Sequence, residues 1–265
     1  MYRTHFGLTR HPFPQDLPAE ELFAFDAFKE MEARLQHLLK LHGMGLFTGE
    51  PGSGKTTVCR KVLTALHPGQ YRVLYIANST GNVPDLYKSI DWELGLTPER
   101  SRAALHRCIK HEVSRLCQES RLKPVVVIDE AHLLRSDVME ELRLLTNYEF
   151  DSADRLCLIF VGHSELRRRL TMSTHEALSQ RITVRFHLAG ISKEETGPYL
   201  RHLLHLAGTE TPLFEPAALE AIHQAGSGLP RRINLLAHYA LTAAAHDKGK
   251  MANADHVRLA MAECA

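Results

Sequence analysis

No stretch of this chain approaches the ~18 consecutive apolar residues that a membrane-spanning helix needs. Nor does the N-terminal "MYRTHFGLTRHPF" contain the apolar core of a secretory signal. An excess of charge of one sign is missing too. The 32 Lys and Arg residues face 31 Asp and Glu, for a net charge of +1. That balance excludes a general basic coat for nucleic acid, so any DNA contact has to come from a local patch. The five cysteines (Cys59, Cys108, Cys117, Cys157 and Cys264) are odd in number and form no C-x-x-C pair. They read as reduced thiols rather than a disulfide framework. Internal repeats and low-complexity segments are also lacking. Together these absences lead us to expect a soluble, cytoplasmic protein with no membrane partner.

What is present is a composition 44% hydrophobic over 265 residues, enough for one large or two modest domains. Histidine is abundant, at seventeen. The closest pair, His202 and His205 in "RHLLH", lies one helical turn apart with no further ligand nearby, so no transition-metal site is expected.

Residues 1–25 form a lead-in containing Pro and Phe, too short and irregular for a domain. From Ala27 to Leu41 the apolar positions Phe28, Met31, Leu35, Leu38 and Leu39 recur at helical spacing. A short apolar strand, "MGLFTG", then enters a glycine loop, and "KTTVCRKVLTAL" continues as a helix. "YRVLYIAN" reads as a strand and "NVPDLYKSIDWELG" as a helix. "TPERSRAALHRCIKHEVSRLCQES" reads as a longer helix with Thr97 as its cap and Pro98 in its first turn. "PVVVIDEAH" is an uninterrupted apolar strand, as the centre of a parallel sheet requires. The helix "SDVMEELRLLTNY", the strand "RLCLIFVGH", the short helix "SELRRRL" and the strand "ITVRFHL" complete the alternation. The spacing predicts an α/β domain over 26–189, with a parallel sheet flanked by helices. After Ala189 the strands stop. Four helical segments follow, the first opened by the capping box Ser192-x-x-Glu195, and predict a small all-helical domain over 190–265.

Gly49-Glu50-Pro51-Gly52-Ser53-Gly54-Lys55-Thr56 satisfies G-x-x-x-x-G-K-[ST] between a strand and a helix. In that setting, backbone N–H groups of the loop Gly49 to Thr57, all but that of Pro51, wrap the phosphates of ATP. Lys55 brings a positive charge to the β/γ oxygens, and the Thr56 hydroxyl ligates Mg²⁺. "VVVIDEAH" supplies the second half: Asp129 to hold Mg²⁺ through water, and Glu130 to polarise the attacking water. That glutamate marks an ATPase rather than a kinase. His163 ends the strand expected beside that of Asp129 and can orient water; the alternative is a histidine bonded to backbone. Arg181, ahead of the last strand, suits a finger reaching a neighbouring subunit's γ-phosphate, with Arg185 as the competing candidate. Arg231 opens a helix of the small domain, where it could close over the nucleotide or simply face solvent.

Taken together, "HFGLTRHPF", "TGEPGSGKTT", "VVVIDEAHLL" with "EELRLLTNYE", "LIFVGHSELRRRL", "LSQRITVRFHL" and "GLPRRINLLAHYAL" resemble the AAA+ ATPases. The nearer resemblance is to the ExeA-like branch that includes TniB/TnsC-type transposition regulators, and it spans nearly the whole chain in order. It implies a P-loop AAA+ domain followed by a helical lid. Lys55 and Thr56 then belong to the first ATPase motif and Asp129 and Glu130 to the second. His163 becomes the first sensor, Arg181 the finger acting in trans and Arg231 the second sensor. At two positions this chain departs from the branch, which commonly has Gln or Asn where His163 stands and an apolar residue in place of Arg232.

Within the branch, secretion accessory ATPases continue into a membrane span, whereas transposition regulators are short. The chain stops at Ala265, directly after the lid helices, and we expect the second job. By this resemblance it assembles with ATP on duplex DNA, as a ring or helical filament, and recruits a transposase and a target-selecting protein. Hydrolysis dismantles the assembly. A secretion-linked or protein-remodelling ATPase without DNA contact is the alternative; a replication-initiator-like loader would carry a further DNA-binding domain. For DNA, Ser79, Thr80, Asn82 and Lys88 could meet phosphates beside the N-terminal end of a helix, or be an ordinary loop and cap. The run Arg100, Arg102, Arg107, Lys110 and Arg115 reads more readily as a solvated helix face.

Overall fold

The computed structural model describes residues 2–77, 80–149 and 152–264. Elements follow in chain order as α1 (Tyr2–His5), α2 (Asp26–Leu41), β1 (Met44–Gly49), α3 (Lys55–Thr64), β2 (Tyr71–Ile76) and α4 (Val83–Leu94). Next come α5 (Arg102–Gln118), β3 (Lys123–Ile128), α6 (Ser136–Leu145), β4 (Cys157–Gly162), α7 (Ser164–Arg169), α8 (Glu176–Arg181) and β5 (Ile182–Leu188). Four helices close the chain: α9 (Lys193–Leu206), α10 (Pro216–Gly226), α11 (Pro230–His246) and α12 (Ala254–Glu263). The chain groups into two compact units. One holds Glu30–Gly49 and Lys55–Leu188; the other holds the residues up to Lys29, Glu50–Gly54, and those from Ala189 onward.

The first unit is an α/β layer structure around five strands in the order β2-β3-β4-β1-β5, every pair parallel. Composition explains the order. β1 and β4 are buried at every residue and β3 at all but its first, as strands covered on both faces must be. β2 and β5 sit at the edges, and there burial falls towards alternation. Phe47 and Phe160 are almost wholly enclosed, and each such side chain stabilises the fold by roughly 1.5–3 kcal/mol relative to an exposed one. The register matters for function. Thr48 pairs with Gly162 and Ile128 with Phe160, so the carboxyl ends of β1, β3 and β4 finish side by side. In open parallel sheets, that edge is where ligands bind.

The helices follow their local signals with two exceptions. α4 is capped by the reciprocal pair Asn82 and Asp85, with Pro84 in the first turn. α5 does not start at Thr97 and Pro98, as the sequence suggests, but at Arg102 after Ser101. Its buried stripe, Leu105, Ile109, Val113 and Leu116, begins only there, and residues 97–101 carry nothing for that stripe to bury. α8 is a helix that the sequence reading leaves as a connection.

In the other unit, α9 opens with the expected capping box, Ser192 with Glu195. Glu195 Oε1 also accepts from Asp26 N at 2.7 Å, so one carboxylate serves the starts of α9 and α2. The lead-in is fastened to these helices. Thr9 N donates to Ala207 O at 2.9 Å, Arg10 Nε to Leu206 O at 2.6 Å, and Tyr2 shares a 3.0 Å hydrogen bond with His238 Nδ1. No helix among the described residues is long and apolar enough to cross a membrane.

Candidate functional site

β1 ends at Gly49 and α3 starts at Lys55, leaving a short loop to turn the chain sharply. Lys55 is only 6% exposed, and its ammonium donates to Gly49 O at 2.9 Å. Burying a charge this deeply is costly unless it is met by acceptors, which makes the position suited to an anion. Gly52 has φ of 82°, a left-handed conformation that strains any side chain, and a Cβ there would stand 2.8 Å from Cβ of Arg231. Arg231 N also donates to Gly52 O at 3.3 Å, so the start of α11 is tied to the glycine loop. Ser53 Oγ is buried and makes no hydrogen bond among the described residues. An unmet buried hydroxyl in this loop fits a phosphate acceptor.

Asp129 follows β3 and is 5% exposed. Its Oδ2 accepts from the Thr56 hydroxyl at 3.0 Å and from the Tyr75 hydroxyl at 2.6 Å, while Oδ1 accepts from Glu130 N at 2.8 Å. Thr56 and Asp129 thus present hard oxygen donors side by side, a set that fits magnesium. Burial, and then the bond to Asp129, hold the Tyr75 phenol above its ordinary range, so it stays a donor to that carboxylate. No motif in the sequence marks Tyr75. Its one signal is an exposed aromatic on an edge strand, in register with Val127 of β3.

Glu130 has φ of 49°, one of six non-glycine residues among those described in the left-handed region, a conformation that costs energy and persists where the surrounding structure holds it. The turn throws the chain off the strand into a short 3₁₀ segment, Ala131–Leu133. Gly162, at the end of β4, makes room for this turn: a Cβ there would lie 3.1 Å from His132 N. From α7, Arg169 clamps the turn by donating to His132 O at 2.6 Å and Leu134 O at 2.7 Å. Glu130 Oε2 consequently stands 3.4 Å from His163 Nε2 and 3.3 Å from His132 Nδ1. The two imidazoles stack at 3.8 Å between centroids, 19° apart in plane. Burial, then the neighbouring His163, hold His132 below the ordinary histidine range, so it is neutral at neutral pH.

The structure therefore brings Lys55, Thr56, Asp129, Glu130 and His163 to one edge of the sheet, and adds Tyr75 and His132. The other candidates have different partners. Arg181, at the end of α8, donates to Thr146 Oγ1 at 3.3 Å, just past α6. Arg185 donates to Ser179 Oγ at 2.9 Å. The Asn82 side chain accepts from Asp85 N at 3.1 Å, so it caps α4. Thr80 and Lys88 are exposed, and Ser79 lies outside the described residues. Of the basic run, Arg115 holds Glu112 through two hydrogen bonds, Arg102 pairs with Glu141, and Lys110 bonds Asn147 O.

Comparison with known proteins agrees with this architecture. The chain is 36% identical to General secretion pathway protein A of Aeromonas hydrophila over 248 residues, 92% of this chain and 45% of that protein. It is 26% identical to a replication factor C small subunit of Staphylothermus marinus, over 78% of this chain and 55% of that protein. The chain thus spans about half the length of these curated relatives. Among solved structures, Cdc6p from Pyrobaculum aerophilum superposes with a TM-score of 0.67 at 20% identity, covering 98% of this chain and 70% of that one. Drosophila ORC bound to DNA gives 0.69 at 21% identity, covering 99% and 65%. At such identities these two show the fold and nothing further. A family profile, described as the AAA domain, matches residues 37–170. With that match taking in half of its length, the chain belongs to the AAA-domain family of P-loop ATPases.

Proposed function

We propose that this ATPase is a timer: ATP holds copies of the chain together on duplex DNA, and hydrolysis releases them in the course of regulating transposition. The observation that carries the reading is Glu130, set on a strained left-handed turn beside Asp129 and 3.4 Å from His163. A chain that only bound nucleotide would have no use for a carboxylate held there. In this reading Lys55 meets the phosphate charge, and Thr56 and Asp129 hold the magnesium with which ATPases of this family work. That ion, when bound, neutralises charge on the phosphate oxygens. Tyr75 fixes the Asp129 carboxylate in place. Glu130 takes the proton side of the attacking water, and His163 orients that water. Arg181 serves as the finger offered to a neighbouring copy, with Arg185 as the competitor. Arg231, tied to the phosphate loop through Gly52, reports the state of the nucleotide.

For what the assembly acts on, two readings have support. The transposition reading, with duplex DNA, a transposase and a target-selecting protein as partners, rests on the sequence's resemblance to TniB/TnsC-type regulators. A fold shared with a DNA-bound ORC is compatible with it. The secretion-linked reading is favoured by the 36% identity to General secretion pathway protein A. A titration of labelled duplex DNA, with and without a non-hydrolysable ATP analogue and over a salt series, separates them. With Thr80 and Lys88 as the contacts, binding should require the analogue, show little preference among random duplexes and weaken steeply with salt. No complex at low salt with the analogue present would falsify the transposition reading and leave the secretion-linked one.

A further inference from the structure

Beside the oxygen donors of Thr56 and Asp129 lies a second group of ligands with a different chemistry. Glu130, His132 and His163 each offer one atom, and these atoms all lie within 4.8 Å of one another. An ion ~2.1 Å from each of two tetrahedral ligands holds them roughly 3.4 Å apart. The two carboxylate–imidazole separations, 3.3 Å to His132 and 3.4 Å to His163, already have that spacing. The backbones beneath are fixed, by the Arg169 clamp on one side and by the end of β4 on the other. The state of one of these ligand atoms points the same way. Nδ1 of His132 is buried, on a side chain only 11% exposed, and its 3.3 Å contact with Glu130 Oε2 is not a hydrogen bond. A buried nitrogen without a hydrogen bond is costly, and a metal–ligand bond would satisfy it.

Two imidazoles and a carboxylate suit zinc and its late first-row neighbours, and suit magnesium poorly. Three protein ligands leave a fourth position for water. We propose that Glu130, His132 and His163 form a binding site for Zn²⁺ or a similar late first-row divalent ion, and that this ion, by taking up the Glu130 carboxylate, halts ATP hydrolysis while ATP remains bound. The site itself stands on geometry; the brake rests on the reading of Glu130 as the group that polarises water. To close on the ion, one ring leaves the stack. His163, its side chain 32% exposed against 11% for His132, is the one with room to turn.

The test starts with metal-free protein and no nucleotide. Zinc is titrated by calorimetry, and cobalt(II) by its visible absorption. One equivalent should bind, with a four- or five-coordinate cobalt spectrum free of thiolate charge-transfer bands. His132→Phe, which keeps a ring in the stack but removes the donor, and His163→Asn should each weaken binding at least tenfold. Zinc should also raise the Tm of the wild type and not of either variant, a readout that needs no activity. In a second arm, zinc is added to protein turning over excess Mg-ATP. Turnover should fall with occupancy, ATP affinity should hold, and a chelator should restore the rate. Equal zinc affinity in wild type and both variants, or thiolate bands, overturns the site. Zinc bound at full occupancy with undiminished turnover overturns the brake, and with it the role given to Glu130, while leaving the site intact.

Discussion

In the proposed function, a buried ammonium and a carboxylate on a left-handed turn divide binding from hydrolysis between two residues. On the proposed reading Lys55 faces charge that is present in the ground state, whereas Glu130 acts on a proton that moves only in the reaction. Removing the first should therefore abolish nucleotide affinity, and neutralising the second should spare it. Lys55→Ala is expected to bind no ATP at concentrations that saturate the wild type. Glu130→Gln should bind ATP normally and lose turnover by ~10²-fold or more, the range a general base contributes. A titration and a phosphate-release assay on each protein decide it, and normal turnover in Glu130→Gln removes the assignment. These two residues are readable in the sequence because each sits in a contiguous motif. Tyr75 and His132 are not, because each acquires its meaning from a neighbour distant in the chain. Tyr75 reaches Asp129 only once β2 lies against β3. His132 meets His163 only because Gly162 lets the turn after β3 approach the end of β4.

At the scale of elements, the strongest test lies in α4. Asp91 is wholly buried, yet neither carboxylate oxygen has a hydrogen-bond partner among the described residues. Burial, assisted by Glu99, pushes its pKa up to about 6. A carboxyl whose folded-state pKa is raised contributes stability at low pH and loses it as pH rises through that value, because folding then has to bury the charge. Asp91→Asn, neutral at every pH, should thus raise Tm by a few degrees at pH 8, the scale on which ~1 kcal/mol moves a domain of this size. The gain should shrink as pH falls below 6 and vanish only below about pH 3.8, where the unfolded carboxyl is protonated too. A gain independent of pH would mean that the charge is not the cause. Sequence alone gives no hint of this, since "SIDWEL" reads like any exposed helix turn. β1, β3 and β4, by contrast, are legible as apolar runs, and α9 announces itself by its capping box. α5 misleads because Thr97 and Pro98 are a valid local start that packing overrides. α8 is missed because its six residues bury one side chain, Leu178, too little for a periodicity.

On the scale of the whole molecule, the open question is whether a site is complete within one chain. Lys55, Asp129 and Glu130 all come from one sheet edge, whereas Arg181 is held at the end of α8 by Thr146, just past α6. An arginine offered to another copy implies a head-to-tail contact, in which one subunit's finger completes the next subunit's site. Such an arrangement can be tested by complementation. Arg181→Ala protein keeps an intact phosphate loop and lacks the proposed finger; Lys55→Ala protein has that arginine and lacks the loop's charge. Each should be inactive alone. In an equal random mixture, about a quarter of the junctions should pair an intact loop with an intact finger, and activity should return in that proportion. Dilution should abolish the recovery, because a contact between copies depends on concentration while a defect within one copy does not. Arg181→Ala removes a part-buried hydrogen bond to Thr146, and the Tm of each variant shows that it remains folded before the mixtures are compared. If the mixture stays as inactive as its parents while Arg185→Ala in place of Arg181→Ala restores it, the finger is Arg185. If neither mixture recovers, the arginine acts within its own chain, and ATP is not what binds one copy to the next.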